Sequence, residues 1–315
     1  MAKRLILSSL LAASLAGCGV GPLPGHVGDP SFLGGTDADV SYSGLAFADG
    51  TQLLADVEGE SITVKLARFV HDETAGTTEI VITDETATIP VGFLDRSSRD
   101  VILTIDGTPV AFTGGVGTLD SGQSVWSYLN YALTQSGTGG IYAYEGYGPA
   151  VANSIDMEGV YAFGFETDPT QIDARSDTVN YAGSYFGYGQ MLDLDGAVTE
   201  SEVETTGAIQ LQADFGTSTI SARLAGELDV LAGVIPYELI FVGADIVGSG
   251  FVGGPDMTCS AGYTCSSATS VGGTFYGVDG HEISGVVGFD ETVLGPGLSG
   301  GYQFLGVAGF SADEE

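Results

Sequence analysis

The sequence predicts an all-β protein whose C-terminal half is an eight-stranded antiparallel β-barrel, preceded by a smaller β-rich domain. The chain has 50 glycines and 10 prolines, and glycine costs about 1 kcal/mol relative to alanine in a helix interior. It also has 14 tyrosines and 15 phenylalanines, which suit strands. Short runs that alternate apolar and polar residues are separated by glycine and polar turns, the pattern of strands and hairpins.

The first 18 residues have the pattern of a cleaved lipoprotein signal peptide. Basic residues at positions 3 and 4 precede a short apolar run, and Leu15-Ala16-Gly17-Cys18 closes it. Such a run cannot span a hydrocarbon core of about 30 Å, which requires roughly 20 apolar residues. The closing motif resembles the bacterial lipobox, so we expect a signal peptide at 1–17 and acylation of Cys18. The alternative is an exported protein that carries no lipid.

Residues 18–35 are predicted to form a lipidated flexible tether, because glycine and proline recur throughout them. Two acyl chains are enough for stable anchoring in a bilayer. Gly19 stands where an aspartate is associated with inner-membrane retention in some bacteria. This favours the outer membrane, with the protein lipid-anchored at the cell surface.

A β-rich domain is predicted over 36–150. Its clearest strand runs are 62–69, 78–83 and 101–105, where β-branched and aliphatic residues predominate. One stretch, Ser121 to Leu133, is predicted to form a short helix because Trp126, Leu129 and Leu133 recur at helical spacing.

The second domain is predicted over 155–312, with strands that are longer and more regular. Eight alternating strands separated by tight turns suggest an antiparallel barrel, which has no free edge. In the fourth strand Ile220 and Leu224 fall on one face and Arg223 on the other. A barrel of this size can enclose a cavity or be filled by side chains, and the sequence leaves both open. The predicted strands lie near 159–166, 178–187, 206–213, 218–226, 237–245, 271–277, 281–289 and 301–309.

The charge of the chain excludes one class of partner. There are 41 acidic and 8 basic residues, for a formal net charge of −33. No basic patch is available to neutralise phosphates, so nucleic acid is excluded. The acidity serves either solubility in a salty medium or steering of a basic partner. The hydrophobic content of 43% is ample for a packed core.

Several motifs in the second domain occur in the order and spacing of one known family. They include Asn180-Tyr-Ala-Gly-Ser-Tyr185, Leu211-Gln-Ala-Asp-Phe215 and Gly272-Gly-Thr-Phe-Tyr-Gly277 with the residues that follow to Gly285. They resemble the β-barrel domain of transferrin-binding protein B and related bacterial surface lipoproteins. The last motif departs from the family pattern at 278–280, in a turn. The matching positions, to which the resemblance assigns a structural role, are Tyr181, Gly183, Asp214, Phe215, Gly273, Phe275, Tyr276, Gly277, Glu282 and Gly285.

The resemblance covers about half of the chain and implies a single lobe, in which 36–150 takes the place of a handle-like domain. Family members include binders of transferrin, factor H and haem or haemoglobin. The resemblance therefore implies a protein ligand, with an iron- or haem-carrying protein as the candidate. It assigns no ligand-binding residues, because the family contacts come from variable loops.

Cys259 and Cys265 are predicted to form a disulfide that closes a short loop. In an exported protein two cysteines at this spacing favour a bridge. A metal site would need further ligands nearby, and the sequence has none at suitable spacing. We therefore expect no metal and no resident cofactor.

Other candidate side chains are scattered. His71 adjoins two acidic residues, and His281 lies in a turn of the barrel motif. Haem ligation by His281 would need a pocket, and an exposed turn residue is the simpler interpretation. Asp193 and Asp195 begin a pattern like a calcium loop but lack its other ligands. No nucleophile elbow, which joins a strand to a helix, supports a catalytic serine. We therefore expect no enzyme but a membrane-anchored lipoprotein that binds an extracellular macromolecule; the alternative is a carrier of haem or another small molecule.

Overall fold

A computed structural model of the chain describes most residues from Ser61 to the C-terminus. The predicted signal peptide, Cys18, the tether 18–35 and the beginning of the 36–150 region lie outside the described residues. The described ranges are 61–72, 77–88, 101–105, 108–113, 116–118, 124–132, 136–145, 154–164, 166–193, 198–230, 233–254, 256–259, 264–267, 269–294 and 301–315.

The first part of the fold is an eight-stranded antiparallel sheet, called here the first sheet. Its strands lie in the order β4-β3-β2-β1-β8-β7-β6-β5. The predicted strand runs at 62–69, 78–83 and 101–105 are confirmed as parts of β1, β2 and β3. The strands are β1 (Ser61–Asp72), β2 (Thr77–Thr88), β3 (Val101–Ile105), β4 (Thr108–Phe112), β5 (Val116–Thr118), β6 (Ser124–Ala132), β7 (Ser136–Glu145) and β8 (Ser154–Gly164).

The first sheet curls around its own core. Thr113 and Val116 exchange backbone hydrogen bonds of 2.8 and 3.1 Å across the turn between the two edge strands, β4 and β5. Alternate side chains point to the enclosed face, where Leu66, Leu103 and Tyr161 are fully buried. These residues belong to one apolar cluster, which explains why the sheet is curled and not flat.

The second part of the fold is a closed antiparallel barrel of eight strands, as predicted. The ring runs β9-β10-β11-β12-β13-β16-β17-β18 and closes where β18 pairs with β9. Two further short strands, β14 and β15, pair with β12 and β17. The strands are β9 (Thr178–Asp193), β10 (Val198–Asp214), β11 (Thr219–Val230), β12 (Gly233–Val247), β13 (Gly250–Gly253), β14 (Asp256–Cys259), β15 (Thr264–Ser267), β16 (Ser270–Tyr276), β17 (Glu282–Leu294) and β18 (Tyr302–Glu314).

Three features of the prediction are corrected. The strand predicted near 159–166 is part of β8, which pairs with β1 and β7 in the first sheet and not in the barrel. The eighth barrel strand is instead β13, whose four residues include two glycines. The helix predicted over Ser121 to Leu133 is wrong, because β6 lies there and pairs with β5 and β7. A register shift between Leu129 and Tyr131 interrupts the two-residue alternation, so the apolar spacing resembled that of a helix.

One short helix, α1 (Pro169–Ala174), lies between the first sheet and the barrel. Asp168 caps it, accepting a hydrogen bond of 2.8 Å from the backbone N–H of Thr170. A 3₁₀ turn follows β16 at Val278–Gly280. Among the described residues, no helix has both the length and the apolar character required to cross a bilayer.

The first sheet packs against the outer wall of the barrel through a small apolar seam. Ala67, Val160 and Ala162 from the first sheet and Val286 and Val307 from the barrel are all fully buried in it. Because these residues would be exposed on either part alone, the seam joins the two parts by removing apolar surface from water.

Glycines on the barrel wall make this close approach possible. A methyl group added at Gly288 would lie 2.5 Å from Cγ2 of Ile80, and one added at Gly309 would lie 2.8 Å from Cγ2 of Val160. Each distance is far below van der Waals contact. The first sheet therefore fits the barrel only where the wall lacks side chains.

Gly288→Ala is expected to lower the free energy of unfolding by about 1–3 kcal/mol, because the new methyl group overpacks the seam against Ile80. Urea unfolding monitored by tyrosine fluorescence measures the change. Gly254→Ala is the matched control, since the nearest atom there is 3.9 Å from the added carbon. Equal stability of the two variants would contradict the tight seam.

Candidate functional site

The family-motif residues meet at the end of the barrel that carries α1. Tyr181 donates a hydrogen bond of 2.8 Å to the carbonyl oxygen of Gly280. Its ring lies 6.0 Å from that of Phe275, and the Phe275 ring lies 5.4 Å from that of Phe215. Burial raises the pKa of Tyr181, which keeps its hydroxyl protonated as a donor. These residues, separated by almost 100 positions in the sequence, form one aromatic cluster.

A cation closes this end of the barrel. The guanidinium of Arg175 lies 4.2 Å from the centroid of the Phe215 ring, within cation–π range. It also forms a 2.7 Å ion pair with Asp177, which lowers the pKa of that carboxyl. Asp214 shapes the adjacent turn by accepting a 3.1 Å hydrogen bond from the backbone N–H of Thr217. The described contacts at this end join α1, the turn after β10 and the turn after β16.

The motif glycines allow close contacts. Gly273 and Gly285 face each other on β16 and β17, and a methyl group on either would lie 2.5 Å from an aromatic ring inside the barrel. One on Gly183 would collide with the carbonyl oxygen of Ser311 on β18. Gly277 has a φ of 80° at the turn after β16, a conformation that favours glycine.

Glu282 connects the barrel to the first sheet through a buried polar chain. Its carboxylate accepts a hydrogen bond of 2.9 Å from the hydroxyl of Ser136 on β7. Ser136 lies 2.7 Å from Ser284, which lies 2.8 Å from Ser311. Because Ser136 donates its one proton to Glu282, Ser284 donates to Ser136 and Ser311 donates to Ser284. The neighbouring motif residue Tyr276 is also buried, which raises its pKa.

Side chains fill the interior of the barrel. Aromatic rings line its axis, with Phe289 at the centre, 6.4 Å from Tyr185, 6.0 Å from Tyr237 and 5.6 Å from Phe304. All four are buried within one continuous apolar cluster. The choice between a cavity and a solid interior, which the sequence left open, is therefore decided for a solid interior in the part of the barrel that the structure describes.

A polar triad lies within this core. The hydroxyl of Tyr185 donates to that of Tyr237 at 2.6 Å, and the Tyr237 hydroxyl also lies 2.6 Å from Oγ1 of Thr205. Burial raises the pKa of both tyrosines. The Tyr185 hydroxyl fits because residue 226 is a glycine: a methyl group added at Gly226 would lie only 1.8 Å from the hydroxyl oxygen. The triad satisfies polar atoms that would otherwise be costly to bury.

Tyr237→Phe is expected to cost about 1–3 kcal/mol at pH 7, because Tyr185 loses its acceptor in the core. A raised pKa means that the fold favours the neutral hydroxyl. The stabilisation from this group is thus complete below the unfolded pKa of about 10 and is lost as the pH rises above it. The variant should therefore lose stability less steeply between about pH 9 and pH 11.

Urea unfolding at several pH values tests this expectation. Tyr302→Phe is the matched control on β18, because Tyr302 packs only partly buried at the margin of the core. We expect it to change stability by less than about 0.5 kcal/mol. A parallel pH dependence in Tyr237→Phe and the unaltered protein would contradict a role for the triad.

The candidate site is a cleft between the first sheet and the barrel, on the outside of both. This junction cleft has a volume of about 230 Å³, and its charged and polar lining comprises Thr63, Lys65, Asp84, Glu166, Ser249 and Thr274. Pocket volumes for drug-sized ligands start at about 300 Å³. The cleft is thus of a size for a single side chain of a larger partner.

Lys65 is the buried cation of the junction cleft. Its aliphatic stem lies against the outer face of the barrel wall, where a Cβ atom added at Gly272 would be 3.6 Å from Cδ of Lys65. Its ammonium nitrogen lies 2.5 Å from Asp84, whose side chain is 62% exposed, whereas that of Lys65 is only 11% exposed. On the barrel side of the cleft, the hydroxyl of Ser249 donates to the carboxylate of Glu166. The cleft therefore presents two carboxylates and one ammonium that is already paired.

An exposed apolar surface adjoins the cleft. Val242 and Val247 on β12 and Val252 on β13 are 82%, 76% and 60% exposed, and together they are called the valine face. Val247 also lines the junction cleft. On neighbouring β10 and β11 the outward positions carry polar residues such as Gln212 and Arg223, so exposed valines distinguish this part of the wall.

The remaining predicted candidates lie outside the lining of the junction cleft. Cys259 ends β14 opposite Tyr237, and Cys265 lies in β15 opposite Val293; the two cysteine side chains lie outside the described part, and the disulfide stays a prediction. His281 is half-exposed, with Nδ1 3.1 Å from Glu314. Within the described residues, no group of three or more metal-ligating side chains occurs.

Sequence reasoning missed the junction cleft. Lys65 and Asp84 come from the first sheet, Glu166 lies between β8 and α1, and no local motif connects them. The valine face had a signal, because Leu239-Ile-Phe-Val242 is apolar without alternation. A strand that is apolar on both faces is expected to be covered on both, yet here one face is exposed.

Comparison with known proteins agrees with the resemblance inferred from the motifs. A family model described as the C-lobe and N-lobe beta barrels of transferrin-binding protein B matches residues 174–312. No curated protein sequence matches the chain.

Solved structures similar to the chain include transferrin-binding protein B from three sources. A mutant from Haemophilus parasuis Hp5 is 17% identical, with a TM-score of 0.40, over 80% of this chain and 44% of that one. Intact Ap-TbpB, with N and C lobes, is 17% identical, with a TM-score of 0.40, over 80% and 46%. Isotype 1 from serogroup B Neisseria meningitidis is 16% identical, with a TM-score of 0.37, over 81% and 43%.

The chain thus spans less than half the length of these proteins. The match to the family model agrees with two observations in the structure, the closed eight-stranded barrel and the cluster of motif residues at its α1 end. Residues 174–312 therefore match the beta barrels of transferrin-binding protein B and form a closed barrel of the same kind.

Proposed function

We propose that this chain is a lipid-anchored protein of the outer membrane surface that binds an extracellular macromolecule, with an iron-carrying protein as the candidate ligand. The observation that carries the proposal is the barrel domain at 174–312, which matches the barrels of a transferrin-binding protein. Fold alone does not determine function, so the proposal also depends on the surface available for binding.

The filled barrel favours a macromolecular ligand over a small one. A haem or another small molecule would need an apolar pocket with a few polar groups, whereas the axis of the barrel is occupied by aromatic side chains. Binding surface remains on the outside, where the junction cleft and the valine face lie side by side. This arrangement supports a binding protein and not an enzyme.

The first sheet takes the position of a handle-like domain in this proposal. It contributes one wall of the junction cleft through Lys65 and Asp84, and the barrel contributes the other. A ligand that contacts the cleft would therefore touch both parts of the protein at once. The seam at Gly288 and Gly309 would hold the two walls in one relative position.

The ligand proposal is tested with purified Cys18→Ser protein and immobilised iron-carrying proteins. Biolayer interferometry with human holo-transferrin and haemoglobin should show saturable binding to one of them, and serum albumin is the control without iron. Because the chain carries a net charge of −33, the titration is repeated at high salt to remove non-specific charge attraction. Absence of saturable binding to both proteins would remove iron carriers from the proposal.

Cys18→Ser is expected to release the protein from the membrane fraction, because serine accepts no thioether-linked lipid and the anchoring energy of about 0.8 kcal/mol per buried CH₂ is lost. Detergent phase partitioning of cell extracts measures the change. Cys265→Ser makes the same chemical change elsewhere and should stay in the detergent phase. If the Cys18 variant also stays there, the chain is not anchored by lipid at this residue.

A further inference from the structure

We propose that the junction cleft is the binding pocket for a basic side chain, an arginine or a lysine, presented by an apolar segment of the protein partner. The proposal rests on the proposed function and deepens it, since it names the surface and the chemistry of the contact. Four observations carry it: the charges that line the cleft, its size, the valine face and the charge of the whole chain.

The charges that line the cleft favour a cation. Asp84 and Glu166 face it from opposite walls, and the one ammonium, that of Lys65, is paired with Asp84 at 2.5 Å. An incoming guanidinium would meet two carboxylates, both of which can accept its hydrogen bonds. The pair between Lys65 and Asp84 offsets one of the two negative charges, so the cleft keeps a net negative charge that repels an incoming carboxylate and attracts a guanidinium.

The difference in exposure between Asp84 and Lys65 also favours a cation. The side chain of Asp84 is 62% exposed and that of Lys65 only 11%. A ligand arriving from solvent therefore reaches the carboxylate before it reaches the ammonium. Glu166 is also exposed, and its carboxylate is oriented by the Ser249 hydroxyl. Both acceptors are held in place and remain accessible.

The valine face favours a side chain of a protein over a free small cation. Val247 stands at the rim of the cleft and is 76% exposed. Lysine and arginine have apolar stems that pack on apolar surface while their charged ends stay in polar surroundings. Val242 and Val252 extend the apolar surface beyond the reach of one stem, so they fit the apolar neighbours of the basic residue in the partner segment. Asp245, exposed between Val242 and Val247, adds a third carboxylate.

The charge of the chain excludes two other occupants. A second copy would bring another net charge of −33 against the same face, and self-repulsion opposes that association. An anionic membrane surface is repelled for the same reason. A cationic and apolar protein segment is attracted by both features of the surface.

Three short peptides and the full chain as the Cys18→Ser protein test the proposal. The probe is acetyl-Val-Arg-Val-amide, its uncharged counterpart has citrulline for arginine, and the reversed-charge counterpart has glutamate. Titrations are followed by NMR of the labelled valine methyl groups. We expect saturable shifts at Val247 and Val252 with the arginine peptide, about tenfold weaker binding of the citrulline peptide, and no binding of the glutamate peptide.

Two variants test the charged part and the apolar part of the contact separately. Glu166→Gln keeps the shape of the side chain and should weaken binding about fivefold while reducing its salt dependence. Val247→Thr should weaken binding about threefold with unchanged salt dependence, because it replaces a methyl group by a hydroxyl. Glu227→Gln and Val234→Thr are the matched controls, exposed on the barrel but outside the cleft, and should bind like the unaltered protein. The methyl spectrum itself shows that each variant is folded.

The outcomes discriminate the proposal from its alternatives. Stronger binding of the glutamate peptide, equal binding by Glu166→Gln and the unaltered protein, or no saturable shift with the arginine peptide would each overturn it. Shifts at Val247 that grow with protein concentration alone would assign the face to a second copy and also overturn it. If transferrin or haemoglobin binds the Glu166→Gln variant undiminished, the proposed function stands and the cleft assignment fails. If the arginine peptide binds but neither protein does, the cleft assignment stands and the iron-carrying ligand fails.

Discussion

The small interior of a closed eight-stranded barrel is the constraint on which the rest of this structure depends. A ring of this size can enclose one small ligand or be filled by its own side chains. The chain fills that interior with aromatic rings and provides glycines where the rings would otherwise collide with the wall, as at Gly226 beneath Tyr185 and at Gly273 and Gly285 beneath Phe251 and Phe310. The described part of the interior is thus occupied by side chains, which favours binding on the outside.

Glycine serves a second purpose on the outer wall. Where the barrel presents Gly288 and Gly309, side chains of the first sheet enter the space that is left. The same strands therefore carry glycines that face inward for the rings and glycines that face outward for the seam. Because strand residues alternate between the two faces, β16 meets both needs with the consecutive residues Gly272 and Gly273, and β17 does so with Gly285 and Gly288.

The buried series of hydrogen bonds from Glu282 to Ser311 fixes how the first sheet is positioned on the barrel. Apolar contacts between two sheets tolerate sliding, whereas a buried carboxylate that accepts from Ser136 loses its hydrogen bond if the sheets slip. These hydrogen bonds therefore favour one relative position of the first sheet and the barrel. That position also determines how Lys65 and Asp84 face Glu166 across the junction cleft.

Local features of the sequence predicted the strands that alternate regularly. Ile220, Ala222 and Leu224 are buried as expected, with Arg223 on the outer face. The prediction failed where alternation is interrupted: β6 changes register near Leu129, and β13 has only four residues. It also placed β8 in the barrel, since its alternation is the same in either sheet and only its hydrogen-bond partners differ.

The sequence by itself determined the all-β class, most strand positions, the barrel and its resemblance to the barrels of transferrin-binding protein B, because side-chain periodicity and spaced motifs are local properties of a chain. Only the tertiary structure decided that the interior is solid, which sheet receives β8, and that Lys65, Asp84 and Glu166 share a cleft. Volume inside a ring and contacts between distant strands arise when the chain is folded, and no window of sequence contains them. The junction cleft is such a feature: its residues belong to two sheets, and the glycines of the seam bring them together.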